Sequence, residues 1–431
     1  MKIGLIRLLL LCLCVNTAVA QLNITVTKGY DDKTSIAVVP FLWTGPGAAP
    51  SEMSDIIIAN LERTGQFEAL DQTAMRSWPS RSDSIVFAEW RLLQQDFLVI
   101  GRLRGIEGDR VEVTYELYDP YREQRVLQGS LQAGIAQWRA LAHRVSDAIY
   151  EEITGIRGVF STKIAYVVMQ ENDAGAQYRL QIADADGWNE QIWYRSSQPI
   201  MSPAWSPDAT KLAFVDFMPD GSSVVKMLDL SSRTIRTLAE RQGAINSAPA
   251  FSPDGRRIAL TSSRGGSPNI YVLDLQSNRL QQVTNHWAID TEPDWLDNSS
   301  LIFTSDRGGS PQIYKLDLAS QALERLTFDG RYNARGRVGS NGERITMVYS
   351  NGGGYYIATM EMDNRRVQVL TSGNGADESP SLAPNGTMVI YATKRGTNSE
   401  LAWVSIDGKV ESVMPSRFGD VREPAWSPFT Y

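Results

Sequence analysis

One pattern comes back along the C-terminal part of this chain. It is a large apolar residue, a turn of the Ser-Pro-Asp-Gly kind, an apolar run and a closing acidic residue. Its fullest copy is SAPAFSPDGRRIALTSSRGGSPNIYVLDL, residues 247–275. Altered copies are MSPAWSPD from Met201, TEPDWLDN from Thr291, ARGRVGSNG from Ala334, ESPSLAPNG from Glu378 and REPAWSP from Arg422. Aligned on the large apolar residue, the anchors are Trp205, Phe251, Trp295, Val338, Leu382 and Trp426, spaced 46, 44, 43, 44 and 44 apart. The acidic marker keeps the same step at Asp184, Asp229, Asp274, Asp317 and Glu361. A β-rich period near 44 predicts a β-propeller of four-stranded blades, and six anchors predict six blades.

Each unit has a physical logic. The anchor sits on the innermost strand and wedges between blades. Ser252-Pro253-Asp254-Gly255 is a turn in which Pro presets φ and Gly relieves the exit. IYVLDL and IYKLDL are nearly continuous apolar runs, as expected of strands covered on both faces. The strands starting at Ile164 have no anchor before them, and the chain ends just after Trp426. Closure of the ring is therefore expected, with the C-terminal segment as innermost strand of the blade begun at Ile164.

The opening MKIGLIRLLLLCLCVNTAVA has Lys2 and Arg7, a short apolar core and a small-residue end at Ala18-Val19-Ala20. It predicts an export signal over residues 1–20, cut between Ala20 and Gln21. Both cysteines, Cys12 and Cys14, lie inside it. An exported chain without them has no disulfide and no thiol chemistry, so packing alone must hold it. Lys2 and Arg7 also leave with the signal, so 40 basic residues face 49 acidic ones. No strongly basic stretch occurs, which argues against nucleic acid and direct membrane insertion. Only two histidines occur, His143 and His286, far apart in sequence and with expected places on a helix surface and in a loop. No metal site and no cofactor is expected.

Residues 21–33 follow. Leu22, Ile24 and Val26 alternate with Asn23, Thr25 and Thr27, and Lys28, Tyr30 and Asp31 look flexible. On the residues alone this is an edge strand, a frayed terminus or a partner-binding arm. Residues 34–154 read as an α/β domain. Ile36–Phe41 and Phe97–Gly101 are strands. Ser51 caps a helix carrying Met53, Ile57 and Leu61, which Gly65 ends. Val111–Leu117 and Arg125–Leu131 form a hairpin around Asp119-Pro120. A last helix from about Gln137 carries Leu141, Val145 and Ile149. Residues 155–162 read as a linker and 163–431 as the propeller.

No catalytic constellation emerges. A propeller peptidase needs a Gly-x-Ser-x-Gly elbow, and Gly265-Gly266-Ser267-Pro268-Asn269 and Gly308-Gly309-Ser310-Pro311-Gln312 lack the last glycine. A propeller lyase with a His-bound metal is the other enzyme class, and two isolated histidines argue against it. The loops leading into the innermost strands converge on the channel. They carry Met201-Ser202-Pro203, Asn246-Ser247-Ala248-Pro249, Thr291-Glu292-Pro293, Arg335, Glu378-Ser379 and Arg422-Glu423. This predicts a mixed-charge mouth suited to polar contacts with a protein, which Glu292→Lys or Arg335→Glu should weaken without unfolding the propeller.

Seven stretches in order and spacing resemble one family. They are VVPFLWTGPGAAP (38–50), KIAYVV (163–168), MSPAWSPDATKLAF (201–214), APAFSPDG (248–255), TEPDW (291–295), SLAPNGTMVIY (381–391) and PAWSP (424–428). The family is TolB, the soluble periplasmic component of the Tol–Pal system of Gram-negative bacteria. The resemblance implies a two-domain fold, an N-terminal α/β domain followed by an all-β six-bladed β-propeller. It implies a periplasmic, monomeric, non-enzymatic adaptor that supports outer-membrane integrity and constriction at division. The segment from Gln21 to about Lys33 resembles the stretch that binds the C-terminal domain of the inner-membrane protein TolA. The channel mouth resembles the surface that binds the outer-membrane lipoprotein Pal. Other outer-membrane proteins and bacteriocins follow as further implied partners. One departure is Ile245, where family members can carry a histidine. An exported enzyme acting on oligosaccharides or peptides stands as the alternative.

Overall fold

The computed structural model describes residues 30–45, 53–172, 175–373, 375–414 and 419–430. The export signal, Ala20, Gln21, Leu22 to Lys28 and the Ser51 cap lie outside them.

The propeller follows the repeat. Six four-stranded antiparallel sheets are built from the described residues, each read inner to outer. Blade 1 starts on Ile200–Trp205, blade 2 on Asn246–Phe251, blade 3 on Asp290–Trp295, blade 4 on Tyr332–Val338 and blade 5 on Asp377–Leu382. Every anchor is the last residue of its inner strand. Blade 6 joins the two ends of the repeat region. Asp420–Trp426 is its inner strand and pairs with Lys163–Asn172, with Trp426 opposite Ile164. The anchor indoles stitch blades together. Trp205 Nε1 donates to Ala425 O and Trp295 Nε1 to Ala250 O, both at 3.0 Å. The acidic markers serve a local purpose: Asp229 Oδ1 accepts from Ser231 and Ser232, and Asp274 Oδ1 from Gln276 and Ser277. A short acceptor there satisfies the turn between third and fourth strands. In the Ser-Pro-Asp-Gly turn, Gly255 takes φ +69° and its N–H donates to Ser252 O.

The α/β domain is one mixed sheet. Its strands are β1 (Thr34–Val38), β2 (Leu42–Trp43), β3 (Phe67–Ala69), β4 (Phe97–Ile106), β5 (Arg110–Asp119) and β6 (Gln124–Gly134). The order is β3-β1-β4-β5-β6, with β2 beside β4. Helices α1 (Met53–Arg63) and α3 (Trp138–Thr154) cover one face, where Ile57, Leu61, Leu141, Val145 and Ile149 are buried. A short helix α2 (Phe87–Leu92) and its flanking loops cover the other through Trp90, Leu98, Ile100 and Tyr118. The strand expected over Ile36–Phe41 stops earlier because Pro40 has no N–H to give the ladder. Residues 155–162 are no loose tether. Val159 and Phe160 are buried, and Phe160 N donates to Asp147 Oδ1 at 2.7 Å.

The α/β domain sits on one end of the disc. Its contacts reach the turns next to the anchors: Asp184 and Asp186 of blade 6, and Asn385, Asp407 and Val410 of blade 5. In an antiparallel blade those turns lie at the same end, and the loops leading into the inner strands lie at the other. The channel mouth therefore faces away from the α/β domain.

His143 is not on a helix surface. It is 2 % exposed, because blade 6 covers that face of α3. Asn60 Nδ2 donates to His143 Nδ1 at 2.9 Å, which leaves the ring proton on Nε2, facing Asp186 Oδ2 at 3.5 Å. His143, Asp184 and Asp186 come within 4.8 Å of one another. Lys163 already pairs with Asp184 and Arg139 with Asp186, so the carboxylate charge is balanced there. Burial pushes the His143 imidazole down to about 4, against the pull of Asp186 and Asp184. The unfolded chain takes up this proton near 6.5 and the folded one only near 4. Stability is therefore full above pH 6.5 and falls as pH drops from there to 4, by about 3 kcal/mol from this group. His143→Gln should flatten that part of the profile in thermal melts between pH 7 and 4.5; an unchanged slope refutes the assignment.

Candidate partner-binding site at the channel mouth

Each inner strand breaks register once, at the same place in its repeat. The breaks fall between Met201 and Ala204, Ser247 and Ala250, Thr291 and Asp294, Ala334 and Arg337, Glu378 and Ser381, and Arg422 and Ala425. At each break one residue adopts a left-handed backbone. They are Ser202, Ala248, Glu292, Arg335, Ser379 and Glu423, all with φ between 49° and 57°. A proline follows in five of them, at 203, 249, 293, 380 and 424. Proline has no N–H, so it sits at an unpaired bulge position without loss. Blade 4 has Gly336 there, where a Cβ would come within 3.0 Å of Ile302. Left-handed non-glycine residues cost about 1 kcal/mol or more each, and such strain gathers at functional positions.

This ring aims three charges at the axis, and they satisfy one another. The Arg335 guanidinium donates to both Glu423 oxygens at 2.9 and 2.6 Å and to Ser379 Oγ at 2.8 Å. Its Nε lies 3.6 Å from Glu292 Oε1. Glu423 Oε2 also accepts from Ser202 N at 2.9 Å, and Glu292 Oε2 from Arg335 N at 2.9 Å. Blades 1, 3, 4, 5 and 6 are thus tied across the pore. Burial works against the Glu423 charge, yet Arg335 overrides it and holds the carboxyl down at about 2. Burial likewise opposes the Arg335 charge, and Glu423 and Glu292 together outweigh it. Beneath this plug is a cavity of about 270 Å³ lined by Trp205, Phe251, Asp294, Arg337, Leu382 and Trp426.

The plug divides the mouth residues anticipated from sequence. Met201, Glu378 and Arg422 are exposed, and Ser202, Pro203, Ser247, Thr291, Glu292 and Arg335 are half-buried. Asn246, Ala248, Pro249, Pro293, Ser379 and Glu423 are buried. The expectation that Arg335→Glu spares the propeller fails on this geometry, because it would set three carboxylates together in a buried ring. Of the arm, Tyr30 and Asp31 are described. Tyr30 OH donates to Asp407 Oδ2 at 2.6 Å, and Lys409 Nζ lies 5.1 Å from its ring, so the root of the arm rests on the anchor end of blade 5.

Sequence reasoning singled out Ile245 of the rim but passed over its other apolar residues. Trp287 is 81 % exposed, Phe328 65 %, and Ile245 and Ile289 47 % each. All four lie in loops leading into inner strands. An indole and an isoleucine inside the polar stretch TNHWAID were the available signal. The two histidines fall on opposite ends of the disc: His143 at the domain interface, and His286 in the rim, where its Nδ1 accepts from Ala288 N at 3.0 Å. Among the described residues no helix is long and apolar enough to cross a membrane.

The fold and its mouth define a two-domain propeller protein whose channel is plugged by its own side chains. Residues 22–126 match the model of the TolB amino-terminal domain, and residues 150–430 that of the TolB beta propeller domain. The Tol-Pal system protein TolB of Thioalkalivibrio sulfidiphilus is 47% identical over 424 residues, 98% of this chain and 97% of that one. That of Alcanivorax borkumensis is 42% identical over 413 residues, 96% of this chain and 94% of the relative. The crystal structure of TolB from Acinetobacter baumannii superposes with a TM-score of 0.85 at 37% identity, covering 95% of this chain and all of that one. The chain belongs to the TolB family and is a component of the Tol–Pal system.

Proposed function

We propose that this protein is a non-enzymatic periplasmic adaptor. It binds Pal through the channel mouth and the C-terminal domain of TolA through the arm, and so supports outer-membrane integrity and constriction at division. The observation that carries this reading is the two-ended disc. The mouth faces away from the α/β domain, while Tyr30, the root of the arm, rests on the opposite end. Two partners can then be held at once without competing for surface. Partner contact at the mouth falls to the residues standing above the plug, Met201, Ser247, Thr291, Glu378 and Arg422, and to the part of Glu292 that the plug leaves open. The plug beneath them keeps their backbone fixed, which lowers the ordering cost of binding.

Deletion of residues 21–29 separates the two contacts. It spares Tyr30 and β1, so the domain packing stays intact. Binding to the TolA domain should disappear, and binding to lipid-free Pal should stay within a factor of two in calorimetry. Equal loss of both partners by a deletion variant that melts like the parent overturns the division of labour.

A further inference from the structure

The repeat allows blade 2 and blade 3 to be compared atom by atom at the rim. In blade 3, Arg307 lies 5.3 Å above the Tyr314 ring and donates Nε to Ser305 Oγ at 3.0 Å. Its terminal nitrogen meets both oxygens of Asp290 at 2.8 and 2.7 Å. In blade 2, Arg264 lies 5.4 Å above Tyr271 and donates Nε to Ser262 Oγ at 3.1 Å. The scaffold is the same, but Asn246 stands where blade 3 has Asp290. Its Oδ1 is 3.5 Å from the guanidinium, and its Nδ2 is engaged with Ser223 O. Arg264 has no carboxylate partner among the described residues, and the charge that bears on it is the exposed Arg241. On a chain of net charge −7, blade 2 thus keeps an uncompensated cation in a site built to hold an ion pair.

Two loops with exposed apolar side chains are fastened to the turn that carries this cation. Ile245 and Ser263 exchange two hydrogen bonds, Ser263 N to Ile245 O and Ile245 N to Ser263 Oγ, each 2.9 Å. Ser267 Oγ donates to His286 O at 2.7 Å. One turn, residues 263–268, therefore carries Arg264 and holds the loops of Ile245 and Trp287 on either side of it. An exposed tryptophan and an arginine on two loops joined by one turn have the composition of a binding hot spot.

We infer that Arg264, with Ile245 and Trp287, forms a docking subsite for a protein segment that presents an aspartate or glutamate side chain next to an apolar one. The carboxylate takes the place that Asp290 fills in blade 3, and the apolar side chain covers Trp287. The acidic balance of the whole chain opposes an anionic membrane as the occupant. The subsite adjoins the mouth through Asn246 and Ser247, so it rests on the reading that the mouth binds Pal.

The test is calorimetric titration of the full mature chain with the lipid-free Pal domain of the same organism. Arg264→Gln and Trp287→Ala should each weaken binding about tenfold or more. Asn246→Asp, which supplies the missing carboxylate internally, should weaken it similarly. Trp287 is so exposed that its variant folds normally, which guards against a folding artefact. In a double-mutant cycle, one Asp→Asn or Glu→Gln change in Pal should lose its effect against Arg264→Gln. If the parent chain binds Pal and these variants bind equally well, the subsite is wrong and the mouth reading stands. If the parent chain fails to bind Pal, both fall. Binding of Arg264 to anionic vesicles without an effect on Pal also overturns the inference.

Discussion

A chain ending at residue 419 does not form a stable propeller. It lacks the inner strand of blade 6, so the strand Lys163–Asn172 loses its partner from Ile164 to Met169 and becomes an open edge. Trp426, 9 % exposed, leaves the cluster around Trp403 and Ile390, and its indole no longer reaches Thr162 Oγ1 at 2.8 Å. Trp205 of blade 1 loses its acceptor on Ala425. Arg335 loses Glu423. An uncovered strand edge in an otherwise apolar ring is also a template for association. The expected result is loss of the cooperative thermal transition and aggregation during size-exclusion chromatography. Trp426→Ala is the graded version and should cost about 3 to 5 kcal/mol. A truncated chain that melts as a monomer within a few degrees of the full one would show that the ring does not depend on this closure.

The architecture was legible because propeller repeats are nearly independent copies. Each must place an apolar wedge, a tight turn and a covered strand at the same interval, so Trp205, Phe251, Trp295, Val338, Leu382 and Trp426 announce themselves by spacing. The segment between Gln66 and Asp96 was not legible. A three-residue strand and a six-residue helix are too short to show periodicity, and Trp90 is buried by tertiary packing alone. The mouth was half legible. Spacing found all six bulge residues, since proline marks five of them. It could not tell that Arg335 faces Glu423, because they stand 88 residues apart and meet only when the ring closes. His143 escaped for a similar reason: helix periodicity cannot know that a second domain covers the polar face.

The two blades compared at the rim show where sequence carries more than fold. Asn246 and Asp290 occupy one repeat position and differ by a single charge. Either residue can start the inner strand and accept from the serine across it, Ser262 or Ser305. Only Asp290 also neutralises its arginine. Asn246 gains a hydrogen bond from its Nδ2 to Ser223 O that an aspartate could not make, and in exchange it leaves Arg264 without the carboxylate that Arg307 has.

Arg335→Met should invert the way stability depends on pH. In the parent chain Glu423 is held at about 2 against an ordinary value of 4.5. Its contribution is full above pH 4.5 and is lost as pH falls from there toward 2. Without Arg335 the same carboxylate keeps the hydrogen bonds from Ser202 N and Ser379 Oγ, but its burial, the largest influence on it, is no longer offset by a cation and pushes its value up. The variant should be less stable by about 3 to 5 kcal/mol at neutral pH, since a buried charge is left without its partner. It should then regain stability as pH falls from 7 toward 4, where the parent gains nothing from Glu423. The double variant Arg335→Met, Glu423→Gln removes the stranded charge and should recover much of the loss with no slope from this site. Chemical denaturation at pH 7, 6, 5 and 4 reads all three. A profile for Arg335→Met that runs parallel to the parent would mean that Glu423 finds another cation or water, and that the plug is not the ion pair described.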